Sequence, residues 1–330
     1  SFITRICNLS KDQSFIINVL NDPNDDPLIL PPSNDLSYYY NSLVDGIIPD
    51  VTRWDTSSVT KMQGMFYRAH EFNQNISGWD VSSAIVMGQM FFQAYALSSA
   101  NKGLIHESFS SNLNWSYDWR DYVLIDDSNF HRAVDLWFDN QAEANATYGH
   151  ISDWNTSAVT NMAYTFKDRT TFNENIGAWN VSKVTNMKMM FRIASAFNQP
   201  IGDWNTSSVK NMQSMFFGAS SFNQPIGTWN TSNVVNMREI FRNAFNFDQP
   251  IGDWNVSAVE SMNNSFRSAR NFNQPLGNWD VSKVTNMREM FNYCKEFNQP
   301  LNKWDVSNVT DMKKMFYNCE KFNQPLNNWD

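Results

Sequence analysis

Residues 204–228 read WNTSSVKNMQSMFFGASSFNQPIGT, and Trp229 opens the same phrase again. Trp154, Trp179, Trp204, Trp229, Trp254, Trp279, Trp304 and Trp329 stand 25 residues apart, and Trp54 and Trp79 keep the phase upstream. Such a period marks a repeat array, in which each unit buries its apolar face on its neighbours. With Trp as position 1, Val follows at 6, Met at 9, usually Met at 12, Phe at 13, usually Ala or Cys at 16, Phe at 19, and Ile or Leu at 23, the unit from Trp154 departing with Thr165 and Arg169. Positions 5, 10, 11, 14, 15, 17, 18 and 25 vary from unit to unit. Fixed apolar positions belong to a shared core, and variable ones face water or a partner.

Positions 9 to 16 carry apolar residues at i, i+3, i+4 and i+7, as in Met287, Met290, Phe291 and Cys294. This spacing predicts one face of a short helix, with Ser282 or Thr285 as N-cap. Positions 19 to 24, Phe-Asn-Gln-Pro-Ile-Gly, cannot continue a helix through Pro, so they are expected to be the extended segment. The fold class expected is therefore an α/β solenoid, leucine-rich-repeat-like, with a short parallel strand and a short helix in each 25-residue repeat. An all-β solenoid is the alternative.

The phase is lost between about Leu97 and His150, which divides the chain into three parts. Residues 1–97 read as an N-terminal cap with a first short array, and 98–129 as an irregular insertion. Residues 130–330 read as a capping helix, with Val134, Trp137, Phe138 and Ala142 on one side, followed by seven full repeats. The chain stops at Trp329-Asp330 at the opening of a new unit, so an uncapped end is expected to meet more chain or another copy.

The chain of 330 residues is 42% apolar and carries 25 Phe, 13 Trp and 11 Tyr, enough for a continuous core. Its formal net charge is −8, and Lys and Arg are scattered singly along the chain, which argues against nucleic acid as a partner. No apolar run is long enough to span a membrane. The segment from Ser1 lacks a basic start, an apolar stretch and a cleavage site, so it reads as a mature form or a fragment.

The phrase F-N-Q-P-I-G-x-W-[ND]-[VT]-S-x-V-T-N-M-x-x-M-F-x-x-A, seen well from Phe197 to Ala219, resembles the repeat of the BspA-like leucine-rich-repeat surface proteins. The resemblance covers about two thirds of the chain, including the cap-like stretch from Ala133 to Trp154, and excludes residues 1–50 and 98–129. It implies a surface protein of bacteria or single-celled eukaryotes, an adhesin or a protein of unestablished role. It is specific for family and poor for function.

Asn-x-Ser/Thr sequons begin at Asn8, Asn75, Asn114, Asn145, Asn155, Asn180, Asn205, Asn230, Asn255, Asn263 and Asn308. In a secreted eukaryotic protein they are glycan acceptors. Five follow the repeat Trp directly, where Asp55, Asp80, Asp280, Asp305 and Asp330 stand in other units. That interchange points to an Asx turn, since only the side-chain oxygen is common to both residues. Asn-Gln pairs at positions 20 and 21, such as Asn198-Gln199 and Asn223-Gln224, read as a stacked amide ladder or a binding face. Cys294 and Cys319 occupy position 16 of adjacent units, where a disulfide or two small buried residues would fit. Cys7 has no evident partner. Trp115, Tyr117 and Trp119 make the insertion a candidate binding loop, for glycans above all.

No catalytic residues are expected: there is no triad, phosphate loop, dinucleotide-binding glycine pattern or zinc-protease motif, and the four His are dispersed. No cofactor is expected either. The acidic run from Asp22 to Asp26 offers oxygens to Ca²⁺ but lacks EF-hand spacing, so it reads as a solvated loop. The sequence thus points to a non-enzymatic structural and interaction protein, extracellular or at a cell surface. It would serve as an adhesin or as a filament subunit stacked end to end. A glycan- or protein-binding module is the alternative, and the partners expected are another copy, a surface protein or glycans.

Overall fold

The computed structural model describes residues 34–40 and 50–329. Among them the repeats contain neither a helix nor a strand. This overturns the α/β solenoid, and the reason lies in the backbone. In the unit from Trp204, short turns follow one another. Trp204, Val209, Met215, Phe217, Ala219 and Phe222 each donate their N–H to the carbonyl three residues back, over 2.9–3.3 Å. A helix would donate four residues back.

Between these turn donors, alternate N–H groups leave the unit altogether. Met212, Ser214, Phe216 and Gly218 donate to Asn236, Arg238, Ile240 and Arg242 of the next repeat, at 3.1, 2.8, 2.9 and 2.7 Å. The backbone can aim this way because positions 11 and 15 adopt left-handed φ: Ser214 at 53°, Glu239 at 56°, Asn243 at 59° and Gly218 at 70°. A left-handed non-glycine residue costs roughly 1–2 kcal/mol, and the inter-repeat ladder offsets it. Between neighbouring repeats of the second unit position 8 alone forms parallel bridges, running from Asn161 through Asn186, Asn211, Asn236, Ser261 and Asn286 to Asp311. The Phe-Asn-Gln-Pro-Ile segment expected to be a strand pairs with nothing as a strand. The apolar spacing read as helical belongs to consecutive turns, which also bring positions 9, 12, 13 and 16 to one side.

That side is the core. Three aromatic columns run through it, with rings of neighbouring repeats face to face: Trp204 on Trp229 at 6.3 Å, Phe216 on Phe241 at 5.7 Å and Phe222 on Phe247 at 6.1 Å. Each such pair contributes about 0.5–1.5 kcal/mol beyond burial. The indole N–H of Trp229 donates to the Ile201 carbonyl at 3.0 Å, and its counterparts repeat the bond down the column.

The chain forms two compact units, Ser1–Leu124 with Asn140–Gly149, and Ile125–Asp139 with His150–Asp330. In the first, Tyr40 stacks on Phe66 at 5.8 Å at one end of the array. The insertion holds helix α1, Ser99–Phe109, started by the Ser98 side chain. The region expected to be one capping helix contains two, α2 (Phe130–Asp139) and α3 (Gln141–Tyr148), divided at Asn140, whose side chain caps α3. In the second unit α2 covers the start of the array, with Phe130 5.7 Å from Trp179 and Phe138 5.8 Å from Phe172. Among the described residues no helix is long and apolar enough to cross a membrane.

Candidate interaction face

With positions 9, 12, 13 and 16 turned inward, most residues at positions 10, 11, 14 and 15 of the ladder are exposed or half-buried, although Ala163, Ser214, Glu289 and Asn292 are buried, and the register stacks these positions in rows. In the second unit, position 10 runs Ala163, Lys188, Gln213, Arg238, Asn263, Arg288, Lys313, and position 14 runs Lys167, Arg192, Phe217, Arg242, Arg267, Asn292, Tyr317. Neither row contains an acid. Residues scattered singly along the chain are thus gathered on one face, which sequence order hides and column-by-column alignment of the repeats reveals.

The face is ordered by its own contacts. Arg192 and Arg242 lie over the Phe217 ring from the repeats on either side, at 4.9 and 5.0 Å. Arg192 pairs with Asp168 at 3.1 Å, Arg242 with Glu239 at 2.7 Å and Arg267 with Glu289 at 2.5 Å. Lys188 stands over Tyr164 at 5.7 Å.

The start of this face is closed by α2 and the residues before it. Asp127 Oδ1 accepts the N–H groups of Thr160 and Asn161 at 2.8 and 3.1 Å, bonds that the Thr185 carbonyl makes to Lys210 and Asn211 one repeat later. His131 Nε2 meets the Ala163 carbonyl at 2.8 Å. A carboxylate and an imidazole therefore replace the missing neighbour. Neither role could be inferred from sequence, because the partners lie about thirty residues apart.

Of the described residues singled out by sequence, Asn263 stands in the position-10 row and the others sit elsewhere. Trp115, Tyr117 and Trp119 are packed against the core of the first unit. The Tyr117 hydroxyl accepts the Phe91 N–H at 2.7 Å, and Trp119 lies 5.4 Å from Phe91. The loop packs over the end of the first array with all three rings half-buried. His106, on α1 and 2% exposed, receives the Trp115 indole N–H on Nδ1 at 2.9 Å and meets the Ala146 carbonyl with Nε2 at 3.0 Å. Burial lowers its pKa, so the imidazole is neutral. Next to it on α1, Glu107 accepts the Tyr148 hydroxyl at 2.8 Å.

The Asn-Gln row is bonded from repeat to repeat: Asn198 Oδ1 accepts the Asn223 N–H at 2.9 Å and the Gln224 amide at 3.1 Å. Asn155, Asn180, Asn205, Asn230 and Asn255 lie exposed in one row, each closing an Asx turn on the Ser two residues on, at 3.0–3.2 Å. At Asp280 and Asp305 the same turn, led by the serine hydroxyl, lowers the carboxyl pKa. Asn114 and Asn308 donate the amide nitrogen that would carry a sugar, to Ala84 O at 3.2 Å and Ser282 O at 2.7 Å. Asn75 turns on Ser77, Asn263 accepts the Ser261 hydroxyl at 3.1 Å, and Asn145 is half-buried on α3.

Cys294 and Cys319 are free thiols, donating to the Phe266 and Phe291 carbonyls at 2.8 and 2.7 Å. Burial pushes both pKa values up, that of Cys319 to about 11. Asn8, Cys7 and the acidic run from Asp22 to Asp26 lie outside the described residues.

The family described as "Mycoplasma protein of unknown function, DUF285" matches residues 34–114, 133–251 and 235–330 of the chain. The tandem repeats are BspA-like in their general plan. No curated protein and no solved structure matches the chain.

Proposed function

The chain belongs to this family of tandem-repeat proteins, and from that premise we propose that it acts without catalysis, as a structural and interaction protein outside the cell or at its surface. Kinship with the BspA-type leucine-rich-repeat surface proteins is part of the proposal and rests on the repeated phrase from Phe197 to Ala219. The observation that carries it is the division of labour within the repeat. Inward positions hold the same apolar residues unit after unit, while outward ladder positions change and are displayed in rows. A protein whose fixed apolar residues serve packing, and whose variable residues at positions 10 and 14 stand in rows on one face, is built to present that face.

The test is retention of the purified chain on intact cells and on glycan- and protein-coated surfaces. It is compared with a variant carrying Arg192→Ser, Phe217→Ser and Arg242→Ser. Retention by the parent and its loss in the folded variant support the reading; equal retention overturns it. The role takes two forms, adhesin and filament subunit, and electron microscopy of the purified chain separates them.

A further inference from the structure

We infer that the two acid-free rows on the ladder face of the second unit form a docking strip for a linear anionic glycan. The inference rests on the interaction-face reading above and names the partner's chemistry. The strip is cationic on a chain whose formal net charge is −8, so attraction to an anion is local to this face. Within it the cations divide into two sets. The position-14 arginines are held by neighbouring carboxylates, as is Arg288 of position 10, by Glu289 and Asp311 at 3.7 and 3.9 Å. Lys188, Arg238 and Lys313, at position 10, have no carboxylate within ion-pair distance among the described residues, and Arg238 and Lys313 are exposed.

The geometry selects among polyanions. Neighbouring repeats joined by parallel bridges lie about 5 Å apart, so Lys188, Arg238 and Arg288, on alternate repeats, recur about every 10 Å. Duplex nucleic acid carries a charge about every 1.7 Å, far denser than this strip can match. A peptide docking as an added strand needs free backbone groups, but alternate ladder N–H groups are spent on the next repeat and most others on turns. What remains is recognition by side chains. The half-buried amides of Gln213 and Asn263 alternate with the cations and suit hydroxyl groups. Widely spaced charge among hydroxyls describes a polysaccharide with carboxylate or sulfate on every sugar or every second one.

The test uses the full chain with immobilised polygalacturonate, heparin, neutral dextran and duplex DNA. The variant Lys188→Glu, Arg238→Glu, Lys313→Glu breaks no ion pair, and its melting temperature checks the fold. A control carries Lys183→Glu, Lys283→Glu and Lys303→Glu, the same charge change on other rows. The expected result is salt-sensitive binding to one or both anionic glycans and none to dextran, weakened about tenfold or more in the strip variant and within about twofold in the control. Equal loss in both variants, or tighter binding to DNA, overturns the inference. If no anionic glycan binds while cell retention still depends on Phe217 and its arginines, the glycan falls and the interaction face stands. If retention is also indifferent to them, both fall.

Discussion

Asp127 holds Thr160 with both carboxylate oxygens: Oδ1 accepts its backbone N–H at 2.8 Å and Oδ2 its hydroxyl at 2.5 Å. The carboxylate stands where a preceding repeat would place a carbonyl. Burial alone would raise its pKa, and the bonds from Thr160 and Asn161 outweigh it and lower the pKa. A carboxyl lowered in the folded state adds stability above its unfolded pKa of about 3.9, and loses it as pH falls through the folded value. Asp127→Ala is expected to cost about 1 kcal/mol near neutral pH, as removal of a helix cap does, with the difference shrinking below about pH 4. Urea unfolding at pH 7 and pH 3 checks it. A pH-independent difference would remove the carboxylate from the account.

From its side chain Asn198 offers the next repeat the oxygen, not the amide nitrogen. Its Oδ1 and main-chain carbonyl both take bonds from the next repeat, and two repeats later in the row Asp248 accepts from Asn273 and Gln274 at 2.9 Å. Asn198→Asp should therefore be nearly neutral, whereas Asn198→Ala strands the Asn223 N–H and should cost about 1–3 kcal/mol. Equal losses in thermal unfolding would mean that the amide nitrogen, not the oxygen, matters.

The repeat, its phase and its inward residues were legible because burial selects by residue type: Trp204, Met212, Phe216, Phe222 and Ile226 are all 4% exposed or less. The local backbone was not. Met212, Met215, Phe216 and Ala219 have the spacing of a helix face, and a chain of turns gives the same spacing. Only the left-handed φ at Ser214 and Gly218 decides between them, and in Ser214, as in Glu239 and Asn243, no glycine announces it. The packing of Trp115, Tyr117 and Trp119 against Phe91 was not legible for a related reason. Clustered rings suit sugar binding and the closing of an aromatic stack equally, and composition cannot separate the two.

Gly227 is required by its neighbour rather than by its own φ. A Cβ built there would lie 2.5 Å from the Pro250 carbonyl oxygen, whereas at Gly277 the distance to Pro300 is 3.2 Å. Gly227→Ala should force two turns apart and cost about 1–3 kcal/mol, with Gly277→Ala costing less. Melting of the two single variants gives the order directly. The reverse order would show that the contact between turns is not what selects glycine in this row.

His106 ties the pH response of the first unit to its aromatic closure. With Nε2 donating to Ala146, Nδ1 is the lone pair that accepts the Trp115 indole. A second proton would set two donors face to face. Burial, the largest influence, lowers the pKa below 6.5, with Arg120 acting in the same direction and the Ala146 carbonyl and Asp118 opposing. Since the unfolded chain binds this proton more readily, the neutral imidazole's contribution is complete above pH 6.5 and is lost as pH falls through the lower folded value. Acidification from pH 7 to 5 should thus lower stability and change the emission of Trp115, while His106→Gln should flatten that slope. The loss begins near pH 6.5, above the range of ordinary carboxylates, near 4, and the Asp127 carboxyl is lowered further still. A slope unchanged in the variant would mean that the closure over Phe91 does not depend on this histidine's charge.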